Sequence, residues 1–341
     1  MGIAFKDLIP GKEINIKELE NKTLVVDTYN LLYQFLSSIR SRDGSLLMDS
    51  KGNVTSHLVG LFSRVTNLMN QNLKLAFVFD GTPPKLKEKE RERRKSSKLE
   101  AQKAYEKAKS EENIDLMKKY ASRTSRLTPE MVADAKELIE QLGLPIIQAP
   151  SEGEAQVAYI AKKENCYGVS QDYDSLLYGT PNLIRNLSIL GKRKKADKLS
   201  YVTVKPEILN FADILNTLTI DNDQLIVVAM LIGTDYNNGG IKGIGPKNAL
   251  TLVKKHQKDF DLLFKEVKWD EFFDFPWTDV FNLFKNMSIE ENYKLEWKSI
   301  NTTKLKEFLL DHDFSEERIN GTLEKLQKKE DNKKQKSIFD F

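Results

Sequence analysis

The chain has 341 residues, a hydrophobic fraction of 40%, a charged fraction of 30% and a nearly balanced net charge of +3, which is typical of a globular protein with a sizeable core. Its single cysteine, Cys166, excludes an internal disulfide, and its three histidines lack the spacing of zinc ligands. No apolar run approaches the ~20 residues of a membrane span, and the start lacks a signal peptide, so we expect an intracellular protein with no membrane segment.

The first eighty residues predict two strands, and each strand ends in an aspartate. Thr23 to Asp27 and Leu73 to Asp80 are nearly continuous apolar runs, as expected for strands that are buried on both faces. Between them, one amphipathic helix carries Tyr33 and Arg40, seven residues apart on one face, and a second helix is predicted over 56–70.

A strongly basic segment follows directly after Asp80. Residues 85–98 contain eight basic and three acidic side chains, and the segment continues to Arg126 with helical propensity but a thin apolar face. A helix of this kind gains little from burial and is marginal alone. It is either a solvated charged hairpin or, because its charge opposes that of the neighbouring acids, a mobile arch that orders when phosphate arrives. We predict the arch.

Two later predicted strands also run into carboxylates. Pro145 to Gln148 is followed by Glu152 and Glu154, and Cys166 to Ser170 is followed by Asp172 and Asp174. Together with the two aspartates above, four strands end in acids, which indicates a parallel sheet whose ligands sit beyond the carboxyl ends of the strands. Clustered like charges raise one another's pKa or need a cation. We therefore predict that these acids bind divalent metal.

Each of these acids also has an ordinary structural interpretation. Ser151 and Glu154 have the spacing of a helix capping box, Asp172 and Asp174 are common turn residues, and an aspartate can simply end a strand. Capping and metal binding can also coexist at one residue. The metal site would be excluded only if every one of these acids had an ordinary structural role and no other.

The following segment contains two more predicted strands, over 182–187 and 199–204, joined by a basic loop at 192–195 that either contacts phosphate or is solvated. A helix over 221–232 leads into a loop with five glycines and then a further helix. Backbone N–H groups at such a helix N-terminus bind phosphate without reading base sequence. This loop therefore predicts contact with a duplex backbone.

The last eighty residues contain a mostly helical region and a polar tail. Aromatic side chains are concentrated between 260 and 300, and we interpret them as core rather than as a platform for stacking bases; among them are Trp269, Phe272, Phe275, Trp277, Phe281, Phe284 and Trp297. From residue 327 the chain is rich in lysine, and we expect a disordered tail. The isoleucine and two phenylalanines at its tip have no core to join and indicate an anchor for a partner.

Several motifs resemble those of the flap endonucleases, the structure-specific 5′ nucleases of the XPG family, and particularly their archaeal members. The resemblance covers nearly the whole chain. It rests on Tyr33-Gln34-Phe35-Leu36, Phe79-Asp80-Gly81-Thr82-Pro83-Pro84-Lys85-Leu86-Lys87, Ala149-Pro150-Ser151-Glu152-Gly153-Glu154-Ala155-Gln156, Gln171-Asp172-Tyr173-Asp174 and Gly233-Thr234-Asp235-Tyr236 with its glycine loop.

The resemblance implies an α/β fold, with a twisted, mostly parallel central sheet flanked by helices, as in PIN-like 5′ nucleases, together with a helical arch and a helix–two-turn–helix. It divides the chain into an N-terminal nuclease region at 1–98, an arch at 85–127, an internal nuclease region at 116–258 with the helix–two-turn–helix at 221–258, a helical region at 259–326 and the tail at 327–341.

The resemblance also assigns roles to particular residues. The predicted metal carboxylates are Asp27, Asp80, Glu152, Glu154, Asp172, Asp174 and Asp235. Lys87 and Arg94 are predicted to face the scissile phosphate. The predicted DNA-binding residues are Gly2, Tyr33, Arg40, Arg64, Glu152, Gly233, Asp235, Gly243, Gly245 and Lys247. The tail resembles the box that binds the sliding clamp, PCNA, through Gln335, Ile338, Phe339 and Phe341, although the chain stops before the second terminal aromatic of that box.

The implied cofactors are two Mg²⁺ ions, with Mn²⁺ as a substitute, and a K⁺ ion at the helix–two-turn–helix. The implied activity is cleavage of 5′ flaps on branched DNA, with an associated 5′→3′ exonuclease, in DNA replication (Okazaki fragment maturation) and long-patch base excision repair, by a monomer in the cytoplasm or nucleoid. The alternatives are an exonuclease of the same superfamily and a non-catalytic, clamp-tethered DNA-binding scaffold. The scaffold does not explain seven acids, which would repel DNA if they held no metal.

Overall fold

The computed structural model describes residues 5, 8–187, 191–194 and 201–339, with side chains described over 5, 8–187 and 204–329. Its strands are β1 (Lys12–Glu13), β2 (Thr23–Asp27), β3 (Lys74–Phe79), β4 (Ile146–Gln148), β5 (Tyr167–Val169), β6 (Asn182–Arg185), β7 (Gly191–Lys194), β8 (Tyr201–Val204) and β9 (Glu207–Asn210).

The helices flank these strands and fill the C-terminal third of the chain. They are α1 (Thr28–Ser38), α2 (Ser56–Met69), α3 (Glu88–Ser110), α4 (Ile114–Ala121), α5 (Pro129–Gln141), α6 (Gly153–Lys163), α7 (Asp174–Leu177), α8 (Phe211–Leu218), α9 (Asn222–Ile232), α10 (Pro246–His256), α11 (Phe260–Glu266), α12 (Trp277–Lys285), α13 (Thr302–Asp311) and α14 (Glu316–Phe339).

A seven-stranded sheet forms the centre of the molecule, in the order β1-β9-β6-β5-β2-β3-β4. The strands from β6 to β4 are parallel, and β9 and β1 extend the sheet in antiparallel fashion. The mostly parallel α/β fold predicted from the sequence is therefore confirmed. After β2 the chain moves to β3 and β4 on one side and then returns to β5 on the other, so the order reverses between β2 and β5. In parallel sheets such a reversal opens a crevice at the carboxyl ends.

Helices cover both faces of the sheet, which explains the continuous apolar strands. On β2, Leu24 and Val26 face a core shared with α2, α5 and α13, whereas Val25 faces α6 on the other side. Because neighbouring strand residues point to opposite faces, both sets must be apolar. The C-terminal aromatic cluster is also core at Trp269 and Phe284. Phe272 and Trp297, however, are 41% and 38% exposed, contrary to the core interpretation at those two positions.

Three sequence predictions about elements need comment. The basic segment forms two helices, α3 and α4, as expected for both the charged hairpin and the arch. Arg40 is not on α1, which ends at Ser38; it pairs instead with Leu46 in an isolated bridge, so Arg40 and Tyr33 do not share a helical face. The chain from 327 to 339, expected to be disordered, continues α14, because lysine, glutamate and glutamine are strong helix formers.

In the described residues no single helix is long and apolar enough to cross a membrane. The consecutive helices α8 and α9 have sufficient combined length and apolarity, but they meet at 77°. Most of α9, from Leu225 to Leu231, is packed in the core.

Candidate active site

A cleft of about 330 Å³ lies at the carboxyl ends of the parallel strands, beside the point where the strand order reverses. The structure brings all seven predicted metal carboxylates to this cleft. Its lining residues are Asp27, Tyr29, Asn30, Tyr33, Asp80, Lys87, Arg94, Lys98, Glu152, Glu154, Asp172, Asp174 and Asp235. Seven acidic side chains therefore face three basic ones.

Asn30, on the first turn of α1, links the carboxylates that follow β2 and β5. Its backbone N–H donates to Asp27 Oδ1 at 3.1 Å, and its side-chain Nδ2 donates to Asp172 Oδ2 at 2.9 Å. Its Oδ1 accepts from the backbone N–H of Gln171 at 3.2 Å. Asn30 thus contacts two acids that are 145 residues apart in sequence, Asp27 through its backbone and Asp172 through its side chain.

Asp80 is held where β3 meets the start of α6. Its Oδ1 accepts from the backbone N–H of Gly153 at 2.9 Å. A Cβ atom at Gly153 would lie 2.3 Å from that same oxygen, so only glycine allows this approach between the two glutamates. The Gln148 side chain donates to the carbonyl of Asp80 at 2.8 Å and fixes the backbone at the strand end.

Two cations from the arch reach into the cleft. Lys87 Nζ lies 2.6 Å from Glu152 Oε2 and 3.2 Å from Asp235 Oδ2, and only 17% of its side chain is exposed. Arg94 Nη2 also pairs with Asp235 Oδ1. Asp235 therefore connects the base of the arch to the loop that follows α9.

The electrostatics of the cleft disfavour ionised acids. Burial, with the neighbouring charge of Asp172, raises the pKa of Asp27 to about 6. Burial and then the charges of Asp27 and Glu152 raise the pKa of Asp80 well above its usual range. Burial and the charge of Asp174 do the same for the pKa of Glu154. Raised pKa values of this kind arise where acids are buried and share a site with other acids without enough cations.

The donor set fits hard divalent cations, because carboxylate oxygens are the ligands that Mg²⁺ and Mn²⁺ prefer. Among the residues that the structure describes, however, no group of three or more acidic, histidine or cysteine side chains is arranged so that it could hold a metal ion. Lys87 pairs with two of the carboxylates instead. Since Mg²⁺ keeps several of its waters and binds few protein oxygens directly, an open arrangement of acids is compatible with it.

We expect metal binding to stabilise the protein in a pH-dependent way. The raised pKa of Asp27 means that its protonated form is favoured by folding, so its contribution to metal-free stability is present below its unfolded pKa of ~4 and is lost as pH rises through about 6. Metal needs the ionised form and offsets this loss. Thermal unfolding with and without Mg²⁺ should therefore show little stabilisation at low pH and a clear increase in Tm above pH 6. The same Tm increase at all pH values, or no difference between wild type and Asp27→Asn, would contradict the role of Asp27.

The predicted base-stacking residue Tyr33 lies at the mouth of the cleft and is 39% exposed, so it is not part of the core. Lys98 Nζ lies 4.9 Å from the centre of its ring, within cation–π range. Arg64 is exposed on α2. Arg40 instead bonds within the protein: its guanidinium donates to the carbonyls of Leu36 and Gly44 and to the hydroxyl of Ser125, each at 2.8 Å.

The glycine loop begins at Gly233, whose φ of +115° ends α9. Asn237 is 1% exposed and organises the turn. Its Oδ1 accepts from the Thr234 hydroxyl at 2.6 Å, and its Nδ2 donates to the carbonyl of Met230 at 2.7 Å. The loop backbone is therefore tied to the buried helix before it.

The far end of this loop faces solvent. Gly243 has a φ of +88°, and a Cβ atom at Gly243 or Gly245 would meet no protein atom within 4 Å. Gly245 has an ordinary φ of −89°, so neither strain nor packing within the protein requires a glycine there. Lys247, in the first turn of α10, is exposed beside it. The bare backbone at Gly245 leaves room for close approach of a ligand.

Other predicted contacts lie outside the described residues or side chains. Gly2 and Phe341 are outside the described chain, and the same holds for part of the basic loop at 192–195. Gln335, Ile338 and Phe339 lie on the backbone of α14, where side chains are not described.

Sequence reasoning missed Asn30, Tyr29 and Lys98 as cleft residues. The spacing Asp27-x-x-Asn30 is a helix N-cap pattern, in which Asp27 caps the backbone of α1. That pattern places Asn30 on the first turn of α1, beside the end of β2. This position is the sequence feature that indicates Asn30 as a cleft residue. Nothing local indicates that its side chain reaches Asp172.

Comparison with known proteins agrees with this fold. Residues 3–101 match the XPG N-terminal domain, and residues 143–235 match the XPG I-region. The chain is 46% identical over 330 residues to flap endonuclease 1 of Thermococcus onnurineus, covering 96% of this chain and 95% of that protein. It is 47% identical over 334 residues to flap endonuclease 1 of Staphylothermus marinus, with 96% and 95% covered.

Among solved structures, flap endonuclease-1 from Methanococcus jannaschii superposes with a TM-score of 0.75 at 39% identity, covering 95% of this chain and 98% of that one. The fold, the carboxylate cleft and the two domain matches define the class as that of the XPG nucleases, which generally depend on divalent metal. Within that class, the chain belongs to the flap endonuclease family.

Proposed function

We propose that this nuclease hydrolyses one phosphodiester at the base of a 5′ single-stranded flap on branched DNA and leaves a ligatable nick. The observation that carries the proposal is the convergence of seven carboxylates, Lys87 and Arg94 in one cleft at the carboxyl ends of the sheet. The relatives named above support flap cleavage rather than another reaction at such a cleft.

The acids of the cleft would hold two Mg²⁺ ions, or Mn²⁺ in their place. When bound, such ions supply an activated water and charge stabilisation for an in-line displacement at phosphorus. Of the chain's own groups, the ammonium of Lys87 and the guanidinium of Arg94 would offset the charge that develops on the phosphate oxygens. Asn30 and Gly153 hold Asp172 and Asp80 in place throughout.

The glycine loop would hold the duplex beside the cleft. Its exposed backbone at Gly243 and Gly245, followed by the N-terminus of α10, suits a DNA phosphate, and a K⁺ ion would share this contact. Such contacts fix position without reading base sequence. The arch of α3 and α4 would admit the single strand, so specificity would come from the shape of the DNA.

We expect Lys247→Ala to weaken binding of flap DNA and to make it less dependent on salt. Loss of one phosphate contact should reduce the slope of log K against log salt concentration by about 0.9. Fluorescence anisotropy with Ca²⁺ in place of Mg²⁺ measures this without cleavage. Lys254→Ala, an exposed lysine in the last turn of the same helix, is the matched control. Equal slopes for Lys247→Ala and wild type would contradict a phosphate contact.

Product mapping on a double-flap substrate tests the proposed activity. With Mg²⁺, one major product cut near the junction is expected, and EDTA should abolish it. Blocking the free 5′ end before the enzyme is added should inhibit cleavage, because the strand has to enter the arch. Products that shorten one nucleotide at a time from a nick, with little flap release, would instead favour the 5′→3′ exonuclease as the main activity.

The C-terminal residues Gln335, Ile338, Phe339 and Phe341 support a further proposal, that the tail tethers the nuclease to the sliding clamp PCNA. We also propose that the enzyme acts as a monomer inside the cell, in DNA replication and long-patch repair. Pull-down with purified clamp, comparing the full chain with one that ends at residue 334, tests the tether.

A further inference from the structure

Glu90 is the one buried charged residue in α3, where the other buried residues are Ala101 and Ala108. It lies in the first turn of α3 and is 4% exposed, whereas its helical neighbours Glu88 and Glu92 are both exposed. A buried carboxylate costs free energy unless it is paired and hydrogen-bonded. Its partners therefore indicate why it is retained.

The Glu90 carboxylate is bonded to two consecutive arginines. Its Oε2 accepts from Arg93 Nε at 2.7 Å, and its Oε1 accepts from Arg93 Nη2 at 2.8 Å. The same Oε1 accepts from Arg94 Nε at 2.6 Å. Arg93 thus makes a bidentate pair with the carboxylate, and Arg94 adds a third hydrogen bond to it.

The bond at Arg94 Nε determines where the rest of its guanidinium points. A free arginine side chain samples many rotamers, and its planar group turns as a unit. With Nε bonded to Glu90, Nη2 is directed into the cleft, where it meets Asp235. A phosphate that enters the cleft would compete with Asp235 for Arg94 Nη2, whereas the bond between Arg94 Nε and Glu90 can persist.

We propose that Glu90 is a positioning residue that orients Arg94 toward the scissile phosphate. This inference rests on the proposed function of the cleft. The competing interpretation is purely structural: Glu90 is an acid near a helix N-terminus with i+3 and i+4 arginine partners, which stabilises α3. The two interpretations differ in whether the loss of Glu90 acts through Arg94.

A double-mutant cycle on the full chain separates them. Glu90→Gln keeps the shape of the side chain and removes its charge, and Glu92→Gln is the matched control on the exposed face. With Mg²⁺ and saturating enzyme, Glu90→Gln should lower the single-turnover rate on 5′-flap DNA by about 10- to 100-fold, as a misplaced catalytic group does. Flap affinity in Ca²⁺ should change little, and Glu92→Gln should match wild type within about twofold.

The decisive comparison uses Arg94→Ala. If Glu90 acts through Arg94, adding Glu90→Gln to Arg94→Ala should cause no further loss of rate. An equal additional loss in that background, or an unchanged rate for Glu90→Gln alone, would overturn the proposal. If Glu90→Gln loses activity only in proportion to a lower Tm, the loss reflects reduced stability of the fold, and the proposal is overturned as well.

A measurement that needs no turnover distinguishes failure of the proposed function from failure of the positioning role of Glu90. In the metal-free protein, NMR of the Arg94 Nε–H should show slow exchange with water, which Glu90→Gln should accelerate, because a neutral amide oxygen accepts more weakly than a carboxylate, and which Glu92→Gln should leave unchanged. If wild type does not cut flaps but this pattern holds, the proposed function is wrong and the orienting contact stands. If wild type cuts flaps but Arg94 Nε–H exchanges equally fast in all three proteins, the positioning role is wrong.

Discussion

Asp172→Asn should bind 5′-flap DNA as wild type does and cut it about a thousandfold more slowly, a loss of about 4 kcal/mol of transition-state stabilisation. Asn preserves the size of the side chain and can still accept the bond that Asn30 donates at 2.9 Å. What it removes is one anionic oxygen from the predicted metal site. Single-turnover cleavage with Mg²⁺, together with anisotropy in Ca²⁺, measures the two effects separately.

The control for this variant is Asp213→Asn, which removes a carboxylate from the exposed side of α8, outside the cleft. It should cut at the wild-type rate. Cleavage by Asp172→Asn at the wild-type rate would contradict the assignment of Asp172 to the metal site. A parallel loss of DNA binding would assign it to substrate contact instead.

Lys87→Ala should lower the single-turnover rate by roughly 10²- to 10³-fold, which is the usual effect of removing one group that stabilises developing charge. The Lys87 ammonium lies within 3.2 Å of both Glu152 and Asp235, in the part of the cleft that a phosphate would enter. Because the same ammonium pairs with Glu152 and Asp235, it would compete with Mg²⁺ for these two acids. We therefore expect half-saturation at a lower Mg²⁺ concentration in the variant, despite its slower cleavage.

Lys89→Ala is the matched control, since Lys89 is two residues away on the same arch, is exposed and pairs only weakly with the exposed Asp274. It should cleave at nearly the wild-type rate. If Lys87→Ala and Lys89→Ala lose equal activity, the arch contributes general positive charge, and a specific role for Lys87 at the phosphate is wrong.

The central sheet could be predicted because the apolar pattern of a strand buried on both faces is visible within each short segment. In β2 the consecutive residues Leu24, Val25 and Val26 are all apolar, and this occurs mainly in strands that are covered on both faces. A polar side chain directly after such a run marks the strand end. Acids at four strand ends therefore predict one shared crevice, even without the strand order.

Contacts between distant segments could not be predicted in the same way. Nothing near Arg40 indicates that its guanidinium bonds to Ser125, 85 residues away, rather than projecting from a helix. The bond from Asn30 to Asp172 depends on β2 and β5 being neighbours, which follows from the strand order rather than from either segment alone. Helix at 327–339 was missed because composition alone does not separate a charged helix from a disordered tail.

The most direct test of the metal site is the stoichiometry of Mn²⁺ binding to the DNA-free protein, measured by electron paramagnetic resonance of free Mn²⁺ at a pH above 7. Wild type should bind two ions per chain, and Asp172→Asn should bind fewer or bind them more weakly. Equal, non-saturating binding by wild type and by a variant with Asp27, Asp80 and Asp172 all changed to asparagine would contradict the account.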